Sequence, residues 1–241
     1  MRQHVQAGGG ASRLRGVLCA VTTTVVLCLS GGGAQAACND PPGPGVDWTE
    51  CEKHRLLLGG ADLSGARLSG ANLNGTDMQR AKLVGADMTH ASVDRVRFSG
   101  ADLSRAKLVQ LSAYRAIFRD ANLVGADMTK AEMARANFAA ANLSRANMRK
   151  AELQRANFEG ANLEGVNLSG ADLARADLTK TRLAGARLEQ ARTFRTRLEG
   201  VDLSAVVGLT PSQLESACGN AATRLPDGLR APKAWPCDKD D

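Results

Sequence analysis

The sequence is poor in aromatic residues, and its prolines are absent from the middle of the chain. Aromatic residues make up 3% of the 241 residues although 44% are hydrophobic, so aliphatic side chains must supply most of the buried surface. The seven prolines all precede residue 45 or follow residue 210. Because proline interrupts regular backbone hydrogen bonding, this gap predicts one continuous regular element between two different end segments.

Histidine, a common catalytic residue and metal ligand, is also scarce. Beyond residue 36 the sequence has two histidines, His54 and His90, which are far apart in the chain. It contains neither a phosphate-binding loop nor a His-Glu-x-x-His motif. We therefore expect no catalytic, cofactor-binding or metal-binding residues, and a protein that is not an enzyme.

The first 36 residues have the features of a signal peptide. An apolar segment, residues 16–29, is followed by the cleavage motif Ala34-Gln35-Ala36. The positive region before it contains three arginines and no acidic residue: Arg2, Arg13 and Arg15. This pattern predicts a cleaved signal peptide over residues 1–36 and an exported protein, periplasmic or extracellular. Attachment of a lipid to Cys38 is a minor alternative, because small residues precede that cysteine.

Removal of the leader would lower the net charge. The whole chain has 31 basic and 25 acidic residues, and the remainder would keep 28 basic residues, for a net charge of +3. Such a small excess does not indicate binding to nucleic acid.

A five-residue repeat dominates the sequence from Ala61 to Ala205. Of the 29 residues at every fifth position from Leu63 to Leu203, 26 are Leu, Met or Phe, and the residue two places earlier is Ala in 22 units. A helix has a period of 3.6 and a strand alternates strictly, so neither suits a period of five. Two inward residues followed by a polar corner predict a chain that winds into a coil around its own core.

Two slower series indicate the number of units per coil. Phenylalanine and arginine each recur at intervals of 20 residues within the repeat. Four units per coil would place each series in one column, and a duplicated segment of twenty residues would fit the same geometry. The phenylalanines are Phe98, Phe118, Phe138 and Phe158; the arginines, which we call the arginine column, are Arg95, Arg115, Arg135, Arg155, Arg175 and Arg195.

The unit Ala-(Asp/Asn)-Leu-x-x resembles the repeat of the pentapeptide-repeat family. It is written out at residues 61–65, 71–75 and 161–165, and the resemblance covers residues 61–205. The resemblance implies an all-β fold, a right-handed quadrilateral β-helix, in which the large apolar residue and the preceding Ala point inward. At four units per coil, 29 units predict about seven coils and a rod roughly 34 Å long.

The repeat predicts separate segments at its two ends. We expect an N-terminal cap over residues 37–60 and a C-terminal cap over residues 206–241, with a short capping helix near 211–218. The helix is indicated by Thr210, Pro211 and Gln213, which match a helix N-terminus.

Four cysteines lie in these end segments: Cys38, Cys51, Cys218 and Cys237. Cysteines can be bridged only when their Cα atoms lie within ~7 Å of each other. In a rod of this length, pairs between the two ends are too far apart. The remaining arrangements are two disulfides, Cys38–Cys51 and Cys218–Cys237, or free thiols.

The arginine column is the one candidate for a binding site. Six guanidinium groups about 5 Å apart repel one another unless they are neutralised. Neutralisation within the protein would use a parallel acidic series, Glu132, Glu152 and Asp172; the alternative is an acidic partner that docks on a basic stripe.

Some members of the family protect a type II topoisomerase by imitating DNA. That role requires a negative surface, whereas residues 61–205 carry 22 basic and 16 acidic residues. We exclude this role, and we expect no nucleic-acid partner.

We expect instead a non-enzymatic structural or interaction module of the bacterial cell envelope. It would bind a macromolecule, a protein or an acidic envelope component, along one face of the solenoid. Self-association through a solenoid face, and a secreted effector-like protein that acts on another cell, are the alternatives.

Overall fold

The computed structural model describes residues 38–237, so the predicted signal peptide lies outside the described residues. From Val46 onward the backbone repeats one five-residue conformation, in which the second residue forms a β-bridge and the last two form a turn. The bridges are parallel and join residues 20 apart, from Asp47 with Arg67 to Arg187 with Val207. Each coil therefore has four sides of five residues, and the phenylalanine and arginine series each form one column.

Backbone hydrogen bonds explain the composition of the unit. The N–H groups of the third and fifth residues donate to the next coil, as Leu63 does to Lys82 at 2.7 Å. The N–H of the second residue donates to the preceding coil, and the N–H of the first residue closes the turn. The N–H of the fourth residue donates to the side chain of the second when that residue is Asp or Asn, as Ser64 does to Asp62 at 3.0 Å. The repeated Asp or Asn thus supplies an acceptor that the backbone lacks.

The fifth residue of each unit has a left-handed backbone. Its φ lies between 53° and 71° at every fifth position from Gly45 to Gly200. A turn of type II has this feature at its third residue, where glycine is unstrained and other residues cost about 1–2 kcal/mol. Glycine is found at 13 of these 32 positions and arginine at ten, including the whole arginine column. The column therefore lies on one corner of the coil.

Columns of like side chains fill the interior. The rings of Phe98, Phe118, Phe138 and Phe158 are fully buried and stack with centroids 4.8–4.9 Å apart and planes within 8° of parallel. This spacing equals the separation of paired backbones in a sheet, so the rings stay in contact from coil to coil. One unit exchanges its large and small residues, because Leu111 and Ala113 are both fully buried.

The coil begins earlier than the repeat pattern indicates. Residues 46–60, which the sequence assigned to an N-terminal cap, already have the conformation of the repeat. The pattern is hidden there because Cys51 and Leu56 stand at the small position and Lys53 at the large one. Trp48 is nevertheless buried at the large position of its unit, and its Nε1 donates to the carbonyl oxygen of Asp40 at 3.1 Å.

The helix α1, Pro211–Ser216, begins with a capping box and lies against the last coil. Gln213 Nε2 donates to the carbonyl oxygens of Leu188 and Ala191 at 2.8 and 2.9 Å. Thr193, which interrupts the series of large apolar residues, donates through Oγ1 to the carbonyl oxygen of Gln213 at 2.7 Å. This departure from the repeat marks a contact with α1.

Both pairs of cysteines are joined as disulfides. The Cα atoms of Cys38 and Cys51 lie 5.5 Å apart, and those of Cys218 and Cys237 lie 5.3 Å apart. The disulfides thus close short loops at the two ends of the described chain.

Replacement of Phe138 tests the stacked column. We expect Phe138→Ala to lower the free energy of unfolding by about 3–5 kcal/mol, because a cavity forms between two flanking rings. Phe194→Ala, at a side chain that is 54% exposed, should change it by less than about 0.5 kcal/mol. Denaturant unfolding measures both values, and equal effects would show that the column does not stabilise the fold.

Reduction of the disulfides tests the closure of the ends. The bridged cysteines are separated by 13 and 19 residues, and each bridge should stabilise the fold by roughly 2–4 kcal/mol. We expect the urea midpoint to fall on reduction, and a variant with serine at all four positions to be insensitive to the reductant. Peptide mapping that finds free thiols or other pairs would contradict this assignment.

Candidate binding face

One side of the coil carries the whole arginine column. This side, which we call the binding face, comprises eight units that start at residues 51, 71, 91, 111, 131, 151, 171 and 191. The last six of these units end at the residues of the arginine column. In the described chain Arg95, Arg115, Arg135, Arg155 and Arg175 are exposed, and Arg195 is half-buried.

Most cations at the second position of a unit pair with acids in the preceding coil. Arg97 contacts Asp77 at 2.6 Å and Arg197 contacts Asp177 at 2.8 Å. The arginine column differs, because within residues 38–237 no carboxylate lies within 4.0 Å of its first five guanidinium groups. These five charges are therefore not neutralised by ion pairs inside the described chain.

The parallel acidic series does not neutralise the column. Asp172 pairs instead with Arg192 at 3.1 Å and accepts a hydrogen bond from Gln154 at 2.9 Å. Glu132 and Glu152 are bridged neighbours in successive coils, and neither forms an ion pair within residues 38–237. The binding face thus presents separate rows of like charge.

Two aromatic side chains on the binding face were missed by the sequence analysis. Tyr114 is 36% and Phe194 54% exposed, and both stand at the fourth position of a unit, next to the column. Arg115 lies over the Tyr114 ring at 5.2 Å, while Arg175 and Arg195 lie 5.9 and 5.6 Å from the Phe194 ring. The sequence did contain a signal for their exposure. Both stand at the fourth position of a unit, whereas the four buried phenylalanines stand at the third.

A further arginine belongs to the same line. Gly75 lies 20 residues before Arg95, and Arg55 lies 20 residues before Gly75. Both therefore occupy the same corner as the arginine column. Arg55 was missed because it falls in the segment assigned to the N-terminal cap. A depression of about 470 Å³ lies between Arg55 and Arg95.

Ion pairs and turns lower the pKa values of several carboxyl groups outside the binding face. A hydrogen bond from Arg67 lowers the pKa of Asp47 to about 2, and one from Arg97 lowers the pKa of Asp77. Hydrogen bonds from Ser64 and Ser204 lower the pKa values of Asp62 and Asp202. The hydrogen bonds that hold these four carboxylates thus come from other residues of the coil.

The side chains and helices of residues 38–237 also bear on metal binding and membrane insertion. No three His, Cys, Asp or Glu side chains there are grouped so as to hold a metal ion. No helix within residues 38–237 is both long enough and apolar enough to cross a membrane.

The core is filled by its own side chains, while charged and aromatic groups line the outside. These features define a four-sided β-helix whose outer surface is available for contacts. The profile described as pentapeptide repeats matches the chain in eight copies, over residues 61–100, 97–133, 131–170, 156–194 and 171–207. The chain belongs to the pentapeptide-repeat family.

Solved structures of the same family resemble the chain. HetL, a pentapeptide repeat protein involved in heterocyst differentiation regulation in the cyanobacterium Nostoc sp. strain PCC 7120, is 28% identical; the match covers 73% of this chain and 86% of HetL, with a TM-score of 0.45. Trypsin-treated QnrB1, a plasmid-mediated fluoroquinolone resistance protein, is 22% identical over 70% of this chain and 88% of its own, with a TM-score of 0.51. The likeness to QnrB1 supports the fold. No curated protein sequence matches the chain.

The lowered pKa values predict sensitivity to acid. A carboxyl group whose pKa is lower in the folded state stabilises the fold above its unfolded pKa, near 3.9, and that contribution is lost as pH falls through the folded pKa. We expect the melting temperature to be constant from pH 7 to about 5 and to fall towards about pH 2. Asp77→Asn, which keeps an acceptor for the turn, should reduce the slope. An unchanged slope in thermal melts of this variant would contradict the role of the Arg97 pair.

Proposed function

We propose that the protein is an exported, non-enzymatic interaction module of the bacterial cell envelope that binds an acidic macromolecule along the arginine column. The observation that carries this proposal is the row of five exposed guanidinium groups, one per coil, without a carboxylate partner in residues 38–237. Neighbouring side chains that repeat at the coil spacing suit a partner that is itself extended and regularly charged.

Electrostatics explains why the column would attract an acidic partner. Like charges in successive coils, roughly 5 Å apart, repel each other most when counter-charges are absent. An acidic partner relieves this repulsion on binding, and the aromatic rings of Tyr114 and Phe194 add contact area of the kind enriched at interfaces.

The disulfides favour an oxidising compartment. Structural disulfides persist outside the cytosol, in agreement with the signal peptide that the sequence predicts over residues 1–36. The sulfur atom of Cys38 is bonded to Cys51 and cannot at the same time carry a lipid. This bond favours an exported form without a lipid anchor.

The end segments support the same role by protecting the coil. An open end of a solenoid presents unpaired backbone groups on which other chains can add. In this protein α1 supplies Gln213 to two carbonyl groups of the last coil, and we propose that it acts as the C-terminal cap. With that end covered, the solenoid would make its contacts through its sides.

A variant with four glutamines tests the column. Arg115, Arg135, Arg155 and Arg175 are replaced by Gln, which the chain already tolerates at equivalent corners in Gln110 and Gln190. We expect co-sedimentation of the purified protein with envelope fractions of its host to weaken by roughly tenfold or more, and to depend less on salt.

A control with equal charge removes cations from other corners. Arg105, Lys130, Arg145 and Lys150 have the same left-handed backbone, and replacing them with Gln gives the same net charge. This control should bind within about twofold of the wild type. Equal losses in both variants would show that only the overall charge matters, and unchanged binding in the first would end the proposal.

A further inference from the structure

A depression interrupts the line of arginines on the binding face. Gly75 contributes no side chain to this line, and the depression of about 470 Å³ opens between Arg55 and Arg95. The other residues that line it are His54, Asn72, Asn74, Asp94 and Tyr114. Its volume lies within the range of small-molecule sites, about 300–1,000 Å³.

A hydrogen-bond ladder fixes two polar side chains in this depression. Ser92 and Ser112 stand at the second position, where most units that start with Ala carry Asp or Asn. The fourth-position N–H groups therefore donate to side chains of the preceding coil. The N–H of Asp94 donates to Oδ1 of Asn74 at 2.7 Å, and the N–H of Tyr114 donates to Oδ1 of Asp94 at 2.8 Å. The two serine hydroxyls donate to the same oxygens at 2.8 and 2.9 Å. Because each Oδ1 accepts two hydrogen bonds, both side chains are held in place before a ligand binds.

The ladder leaves specific atoms for a ligand. Within residues 38–237, Nδ2 of Asn74 and Oδ2 of Asp94 make no hydrogen bond. The depression thus offers an amide donor and a carboxylate acceptor between two guanidinium groups. The exposed ring of Tyr114 adds a flat apolar surface beside them.

This combination selects a particular chemistry. A small anion such as phosphate would gain from Arg55 and Arg95 but would be repelled by Asp94. A neutral sugar would satisfy Asp94 through its hydroxyl groups but would leave the guanidinium groups without a carboxylate. A sugar that carries both hydroxyl groups and one carboxylate meets both requirements.

We propose that the depression binds a uronic acid unit of an acidic polysaccharide. The sugar carboxylate accepts charge-assisted hydrogen bonds from Arg55 or Arg95, and its hydroxyl groups donate to Asp94 and accept from Asn74. The C–H face of the sugar ring packs on Tyr114. The inference rests on the proposed function in one respect, namely that the acidic polymer bound along the arginine column continues into this depression.

Filling the gap gives a direct test. In Gly75→Arg, the new Cβ would lie 3.6 Å from Cγ of Arg55, which is ordinary contact, and arginine already adopts this left-handed backbone at ten other corners. The variant adds a positive charge and removes the space for a sugar. We expect its affinity for trigalacturonate, measured by calorimetry, to fall roughly tenfold. Equal or tighter binding would show that attraction between charges is sufficient and would overturn the proposal.

A matched control places the same substitution elsewhere. Gly85 has a φ of +65°, a Cβ added there would meet no atom within 4 Å, and the residue lies on a different corner of the coil. Gly85→Arg should bind trigalacturonate within about twofold of the wild type. Tyr114→Ala should weaken binding without changing the charge, and unchanged binding by that variant would count against the sugar assignment.

The choice of ligands separates the sugar acid from other occupants. The methyl ester of trigalacturonate keeps the hydroxyl groups but lacks the charge, and we expect it to bind roughly tenfold more weakly. Competition by inorganic phosphate at the same concentration as the sugar would identify a simple anion site. Binding of acidic peptides in place of the sugar would likewise overturn the proposal.

The two proposals can fail independently. The variant with Gln at Arg115, Arg135, Arg155 and Arg175 leaves all residues of the depression intact. If this variant binds both envelope fractions and trigalacturonate as the wild type does, the arginine column is not the contact, and the proposed function alone is wrong. If wild-type protein binds envelope fractions but not trigalacturonate, the sugar site alone is wrong.

Discussion

The pairing of backbone groups between coils is the constraint on which the rest of the structure depends. Between Asp47 and Val207 each bridge joins residues 20 apart, so four corners must return the chain to the same register in every coil. This return requires a left-handed residue at each corner, and the described chain meets the requirement at all 32 positions from residue 45 to residue 200. A single inserted residue would move every following side chain out of its column. The regularity of the outer surface is therefore a consequence of hydrogen bonding in the backbone.

This constraint gives the second and fifth positions of the unit different electrostatic roles. Second-position side chains lie over the bridges, where an acid and a base in successive coils come into contact, as Asp77 and Arg97 do at 2.6 Å. Fifth-position side chains project from the corners, and within residues 38–237 most of the cations there contact no acid. At the second position, opposite charges in successive coils can therefore pair within the protein, whereas most cations at the fifth position extend into solvent.

The sequence predicted the parts of the structure that follow from the repeat. The period of five and the twenty-residue series led to the coil and the stacked phenylalanines. The location of two cysteines at each end left two disulfides or free thiols, and the structure has the disulfides. The start of the coil at residue 46 was not predicted, because Lys53 and Leu56 break the apolar pattern while the backbone continues. Hydrogen bonds between coils need no particular side chain at those positions. Tyr114 and Asn74 were also overlooked. Both stand at the fourth position of a unit, where the repeat pattern specifies no residue type.

Departures from the repeat are the places where side chains acquire individual roles. Thr193 gives up an apolar core position and gains a hydrogen bond to α1. Ser92 and Ser112 replace the usual acceptor, so the ladder passes through Asn74 and Asp94 and faces the depression at Gly75. In each case the substitution creates a hydrogen bond that the regular unit does not have, to a neighbouring coil or to the end segment. A protein built from identical units would have identical sides, and it is through these few substitutions that the binding face differs from the other three.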